Sequence, residues 1–441
     1  MKKQTYFLAF VVSIILISGC GGSNSNNNIH NDKQLSGKLL PPEGDQVYFG
    51  AFTNFTSTED EVSEYKITNF DELSGKPIAW SYFSNNWMYN DADGNHKPEI
   101  RYPRENIQTI LNTGKTPFVR LLPWTSPHIL IGDISKEVRE SAAKDISSVC
   151  HSGADVPYHH PVSVLVTPQE KAEHLAHGDD EGLCFNDFSM QSIIDGNWDD
   201  DLREWANEAK NHLDDNGNPI RLLMTFTIEM NGYWFPWSGI NNGGVENEYK
   251  PEDGLADGPE RFRDAYRHII DLFREEEATN ITWFFVPDTV DADYEYVSFI
   301  KDKWNNPANY YPGDDYIDWI GINLYGVTDY RWKWSIFSKE IEKKYKTIEE
   351  ISDTKPLALL EFGVTEDHKT GNKSEWLNDA FTSILSGYPL KFQAISYWND
   401  TFINGNEETA DLTINSSEET LTTFRQIISN PRFISELHFS P

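Results

Sequence analysis

Two glutamates stand at the ends of apolar runs. Leu222-Leu223-Met224-Thr225-Phe226-Thr227-Ile228 leads into Glu229, and Leu357-Ala358-Leu359-Leu360 leads into Glu361. A carboxylate in such a place is costly to bury unless it is paired or hydrogen-bonded, so each needs a reason to be there. A strand-end salt bridge would be reason enough for either one alone. Together, beside Trp234 and Trp237, they offer the two groups that cleavage of a glycosidic bond requires: a proton donor for the leaving oxygen and a second carboxylate for the anomeric carbon. An ionised Glu361 would push the Glu229 pKa upward and leave Glu229 to act first as acid and then as base. That chemistry calls for no metal and no organic cofactor.

Such residues must be held by a scaffold, and the chain alternates apolar, β-rich runs with amphipathic helical stretches to its C-terminus. Eight strands are expected, over 46–52, 77–83, 116–122, 220–227, 281–286, 317–324, 356–361 and 392–397. Helical faces lie between them: Leu202, Trp205, Ala206, Ala209 and Leu213 before the fourth strand, and Phe262, Tyr266, Ile269, Ile270 and Phe273 after it. Eight strands with intervening helices predict an α/β fold, a (β/α)8 barrel, in which the site lies at the C-terminal ends of the strands. The rival, a doubly wound open sheet, lacks its glycine-rich phosphate turn, since Gly50-Ala51-Phe52-Thr53 has none of the required spacing. Residues 126–197 form a long insertion after the third strand.

That insertion holds Cys150, Cys184 and five histidines, at 151, 159, 160, 174 and 177. The spacing fits no compact zinc motif, so a solvated loop with scattered histidines is expected, and a Cys150–Cys184 disulfide is left open. Two acidic stretches, 91–95 and 214–218, read as ordinary turns rather than calcium loops. The net charge of -33, spread along the chain, argues against nucleic acid and anionic lipid surfaces as partners. The 59 aromatic residues (14 Trp, 20 Tyr and 25 Phe) exceed what a core alone needs, and exposed ones would stack on sugar rings. At the N-terminus two lysines precede an apolar run that ends in Leu16-Ile17-Ser18-Gly19-Cys20, which resembles a bacterial lipobox. The resemblance implies a signal peptide over 1–19 and lipidation of Cys20; the Gly-, Ser- and Asn-rich stretch that follows reads as a flexible tether, taken over 20–45, and the alternating strands and helices place the catalytic domain over 46–441. The expected product is an exported, lipid-anchored monomer that touches the membrane only through its anchor.

Glu229-Met230-Asn231-Gly232-Tyr233-Trp234-Phe235-Pro236-Trp237 resembles the acid/base signature of glycoside hydrolase family 26, known mainly for β-mannanases. Ile194-Asp195-Gly196 with Trp205-Ala206, the stretch 311–321 leading to Leu324-Tyr325, and Glu361-Phe362-Gly363 agree in order and spacing. The resemblance implies Glu229 as acid/base, Glu361 as nucleophile and Tyr325 bonded to that nucleophile. Trp234 and Trp398 would be stacking walls, with Trp124 a further subsite residue. Two positions depart from the pattern. Ile228 stands where the family usually has a sugar-contacting His, and Thr225 where it usually has an Arg. Both touch sugar recognition or strand order rather than the carboxylate pair. The expectation is therefore a retaining endo-β-glycanase acting on β-1,4-mannan, with β-1,3-xylan or mixed-linkage β-glucan as alternatives. A surface lipoprotein that binds glycan without cleaving it is the reading from another class.

Overall fold

The computed structural model describes residues 37–55, 59–90, 96–124, 133–134, 147–151, 162–181, 188–289, 302–328, 333–366, 369–403 and 409–441. The expected signal peptide, Cys20, Cys184, His159, His160 and the turn at 91–95 lie outside the described residues.

Eight parallel strands close on themselves. Strand β1 (Val47–Phe52) leads to helix α1 (Glu64–Ser74), β2 (Trp80–Asn86) to α2 (Arg104–Asn112), and β3 (Thr116–Leu122) to the insertion and its helix α3 (Pro168–Ala176). Helices α4 (Met190–Ile194) and α5 (Asp199–Asn211) then precede β4 (Leu222–Phe226), which is followed by α6 (Asp257–Glu275). The round continues with β5 (Ile281–Phe285), the single turn α7 (Pro307–Tyr310), β6 (Trp319–Asn323), α8 (Phe337–Glu349), β7 (Leu357–Phe362), α9 (Lys373–Ser386), β8 (Phe392–Trp398) and α10 (Glu418–Ile428). Each strand pairs in parallel with the next, and β1 pairs with β8 from Tyr48 opposite Ala394 to Phe52 opposite Trp398. The fold is thus the expected (β/α)8 barrel. The strands read as continuous apolar runs because helices cover their outer faces while side chains fill the interior.

Aromatic rings fill much of that interior. Phe118 on β3 meets Phe284 on β5 at 4.7 Å between centroids, and Tyr48 on β1 meets Trp319 on β6 at 6.5 Å. Neither pair lies on neighbouring strands, so both contacts cross the barrel. Gly50 on β1 lets the Trp80 indole lie against the backbone, where a Cβ would come within 2.1 Å of it.

The predicted face of α6 is buried as expected, and α5 buries Leu202, Trp205, Ala206 and Ala209. Leu213 is a correction. The helix ends at Asn211 and His212 is extended, so Leu213 leaves the helical face and is 50% exposed. The insertion is also more ordered than a solvated loop. Strand Ser147–His151 pairs antiparallel with both Val162–Val166 and Asp180–Glu181, and a capping box of Thr167 and Glu170 starts α3. His174 is tied to Asp179 at 2.8 Å. Cys150 is disulfide-bonded. The stretch 214–218 is a turn in which Asp214 accepts from the backbone N–H groups of Asn216 and Asn218.

The expected tether gives way to packed chain before residue 46. Leu39 is 3% exposed, its N–H donates to Thr282 Oγ1 at 2.8 Å, and Lys38 pairs with Asp318 at 3.0 Å. Residues 37–40 pair with 438–440, so both ends of the described chain close the N-terminal end of the barrel. Here an acidic side chain at the start of a strand, Asp318, is structural, whereas the two strand-end glutamates lie at the opposite rim.

Candidate active site

Strand β4 ends at Phe226, and the next residues turn sharply to aim Glu229. Thr227 and Glu229 both adopt left-handed backbone conformations, with φ of 57° and 52°, which non-glycine residues rarely occupy. The turn is pinned on both sides. Thr227 N–H donates to the Leu121 carbonyl of β3 at 2.9 Å, and Glu229 N–H donates to the Val286 carbonyl after β5 at 2.7 Å. Backbone strain held this firmly is a mark of a functional position.

Each carboxylate has a distinct set of donors. Glu229 accepts from Asn323 Nδ2 and from Trp234 Nε1, both at 2.8 Å, through different oxygens. Glu361, 4% exposed, accepts from Tyr325 Oη at 2.9 Å and from Arg120 Nη1 at 3.1 Å, again through different oxygens. Register shifts in the β6–β7 and β7–β8 ladders bring Glu361 opposite Asn323, and such bulges re-aim side chains. The two carboxyls are thus held from neighbouring backbone positions on a single frame.

Arg120 is one of two site residues that sequence reasoning missed. It is 2% exposed, bonds Glu59 and Ser84 as well as Glu361, and lies over the rings of Tyr82 at 4.7 Å and Trp398 at 5.1 Å. A lone cation inside the apolar run 118–122 was the available signal. It also bears on one departure, because Thr225, where an Arg was expected, pairs in register with Arg120. A cation therefore stands one strand over. Asn323 was missed as well, a strand-end amide that no spacing rule picks out.

Burial pushes both carboxyl groups upward. For Glu229 the neutral donors Asn323 and Trp234 and the cations Arg120 and Lys344 work against that push. Burial takes Glu361 up to about 7, with Arg120 pulling down and the charge of Glu229 pushing up. A guanidinium in direct contact favours ionisation more than two neutral donors do. The donor sets therefore differ in kind: that of Glu361 favours a carboxylate more strongly than that of Glu229 does.

Trp398, at the end of β8, stacks on Phe52 with centroids 4.0 Å apart and meets Tyr325 in a T-shaped contact at 6.5 Å. Trp234 meets the pair directly through its bond to Glu229. Trp124 packs on Trp237 and Phe235 at 5.6 and 5.8 Å, one layer removed from the carboxylates. Ile228 is buried, and its carbonyl accepts from Trp237 Nε1 at 2.7 Å, so this position offers no polar side chain to the cleft. Among the described residues no group of three or more His, Cys, Asp and Glu could hold a metal ion.

The class thus defined is a (β/α)8 barrel with a buried carboxylate pair at the C-terminal rim of its strands. Residues 194–357 match the family described as glycosyl hydrolase family 26, a stretch that includes Glu229 and stops just short of Glu361. Endoglucanase H of Acetivibrio thermocellus is 32% identical over 213 residues, 46% of this chain and 20% of that protein. The chain thus aligns with about a fifth of that relative's length. Solved structures of low identity are also similar. A β-mannanase of Bacteroides ovatus has 15% identity and a TM-score of 0.49, covering 89% of this chain and 91% of that one. A modular endo-β-1,4-mannanase of Cellulomonas fimi has the same identity and TM-score, covering 88% and 72%. The family match is thus confined to residues 194–357, less than half of the chain.

Proposed function

We propose that this protein is a retaining endo-β-glycanase in which Glu361 attacks the anomeric carbon while Glu229 protonates the leaving oxygen. A covalent glycosyl ester on Glu361 results. Glu229, now a carboxylate, takes a proton from water, which attacks the same carbon and frees Glu361. The observation that carries this reading is the asymmetry of the donor sets. Glu361 has a guanidinium and a phenol that favour its ionised form, whereas Glu229 has an amide and an indole that orient it. Trp234 and Trp398 are the walls on which a sugar ring would stack, with Trp124 a more distant subsite residue.

The substrate proposed first is β-1,4-mannan, the glycan for which the family is mainly known. A second reading, mixed-linkage β-glucan, is favoured by two observations: the buried Ile228 at a sugar-contacting position, and the name of the relative from Acetivibrio thermocellus. β-1,3-Xylan completes the set. Product analysis on mannan, glucomannan, β-1,3-xylan and mixed-linkage glucan decides among them. Release of oligosaccharides from at least one, abolished in Glu229→Ala and Glu361→Ala with the fold retained, supports the reading. Binding to a glycan with no products after long incubation would establish the non-catalytic alternative. Export and lipidation at Cys20 are proposed from the lipobox resemblance, and loss of radiolabelled acyl incorporation in Cys20→Ala is the corresponding test.

A further inference from the structure

A cation on the outer helical ring is joined by hydrogen bonds to the acid/base. Lys344 on α8 is half-buried, and its Nζ donates to Thr289 Oγ1 at 3.4 Å. Thr289 is buried and donates the same hydroxyl to the Asn323 carbonyl at 2.9 Å. Asn323 in turn gives its amide to Glu229 Oε1. Three hydrogen bonds therefore connect the ammonium to the carboxyl that must carry the proton.

Asp288 stands beside this path, its carboxyl pushed up to about 7 by burial and by the charge of Glu229. It follows β5, bridges to Asn323 in parallel register, and is fastened to Asn231 in both directions: its N–H donates to Asn231 Oδ1 at 2.8 Å, and its carbonyl accepts from Asn231 Nδ2 at 3.0 Å. Asn231 lies two residues beyond Glu229, so the backbone frame that carries Asp288 is the one that carries the acid/base. The catalytic steps proposed above pass through neither Asp288 nor Lys344.

We propose that Lys344 is a positioning residue that sets how tightly Glu229 holds its proton, acting along the path through Thr289 and Asn323. The ammonium favours the carboxylate form of Glu229 and works against the upward push of burial. Among the described residues, the other titratable groups around the path are Asp288, Arg120, Glu361, Tyr82 and Tyr325 on the barrel strands and at their ends, Asp379 on α9, and Glu340 and Lys343 on α8. Asp379 accepts from Ser338 at the start of α8, and Glu340 and Lys343 pair with each other at 3.3 Å. The inference rests on the reading of Glu229 as acid/base.

The test is a titration that needs no substrate. Protein labelled with carbon-13 at the glutamate carboxyls is titrated by NMR, the Glu229 signal being assigned by its loss in Glu229→Gln. The pH dependence of kcat/KM is measured alongside on whichever glycan is cleaved. Lys344→Met should raise the Glu229 midpoint and the alkaline limb by about 0.5 pH unit, the scale expected for a unit charge a few bonds away in a partly solvated cleft. Lys344→Arg should restore both. An unmoved or lowered midpoint in Lys344→Met overturns the proposal. An upward shift restored by Lys344→Arg in a protein that hydrolyses no glycan would uphold the role of the charge and overturn the glycanase reading instead.

Discussion

Asn323 gives its side-chain amide to Oε1 of Glu229 while its backbone stands opposite Glu361 in the β6–β7 register. One strand-end residue thus ties the two carboxylates to a common frame. Asn323→Ala should lower kcat by about 10²-fold, the scale seen when one preorganised donor is removed from a charged group in an active site. Because the lost donor favoured the carboxylate, the Glu229 pKa should rise and the alkaline limb of kcat/KM with it. Steady-state rates across pH check both effects.

Trp234→Phe separates two roles of one side chain. The ring that would stack on sugar is kept, while the Nε1 bond to Glu229 is lost. kcat should fall roughly tenfold with KM changed by less than about threefold, since a single charge-assisted hydrogen bond is worth about 1.5 kcal/mol or more. A KM that rises in step with an unchanged kcat would mean that the indole acts mainly as a binding surface.

Tyr325→Phe removes the phenol from Glu361 Oε2. The hydroxyl favours the ionised nucleophile, so without it the pKa of Glu361 rises further above its present value of about 7. The acid limb of kcat/KM, which reports ionisation of the free nucleophile, should move to higher pH. A limb that stays in place would separate Glu361 from that ionisation.

Arg120→Met should destabilise the protein in a pH-dependent way. The native pKa of Glu361 lies above its ordinary 4.5, so the folded state binds more protons than the unfolded state between those values and stability falls as pH rises through them. Arg120 opposes that fall by pairing with the carboxylate. Its loss raises the native pKa again, which extends the fall to higher pH. The deficit against wild type should therefore be larger at pH 8 than at pH 5, and it should approach about 3 kcal/mol at the higher pH, the cost of leaving a buried charge unpaired. Urea unfolding at both pH values measures it; equal deficits would show that Arg120 contributes only through its bonds to Glu59 and Ser84.

The parts of the molecule that could be read from sequence are those fixed by covered strands. All eight barrel strands were legible because β-rich apolar runs have no other stable use in an alternating chain, and Glu229 and Glu361 were legible as charges ending such runs. Arg120 was passed over because it lies within a run rather than at its end, although a buried guanidinium demands partners as strongly as a buried carboxylate does. The left-handed φ values of Thr227 and Glu229 leave no mark in residue type, since neither is glycine. Leu213 kept the helical period past the helix end, where periodicity alone cannot see the extended His212. The small sheet of the insertion was hidden by the absence of a long apolar run, none of its strands Ser147–His151, Val162–Val166 and Asp180–Glu181 exceeding five residues.

The division of labour between the two glutamates is tested most directly by azide rescue of Glu229→Ala and Glu361→Ala on an aryl β-glycoside of the released sugar, with the product anomer read by proton NMR. Glu229→Ala should yield the β-glycosyl azide, because azide replaces water in attacking an intermediate still formed on Glu361. Glu361→Ala should yield the α-glycosyl azide, because azide enters directly from the face that the missing nucleophile used. The same anomer from both variants, or full activity in either without azide, would contradict the account.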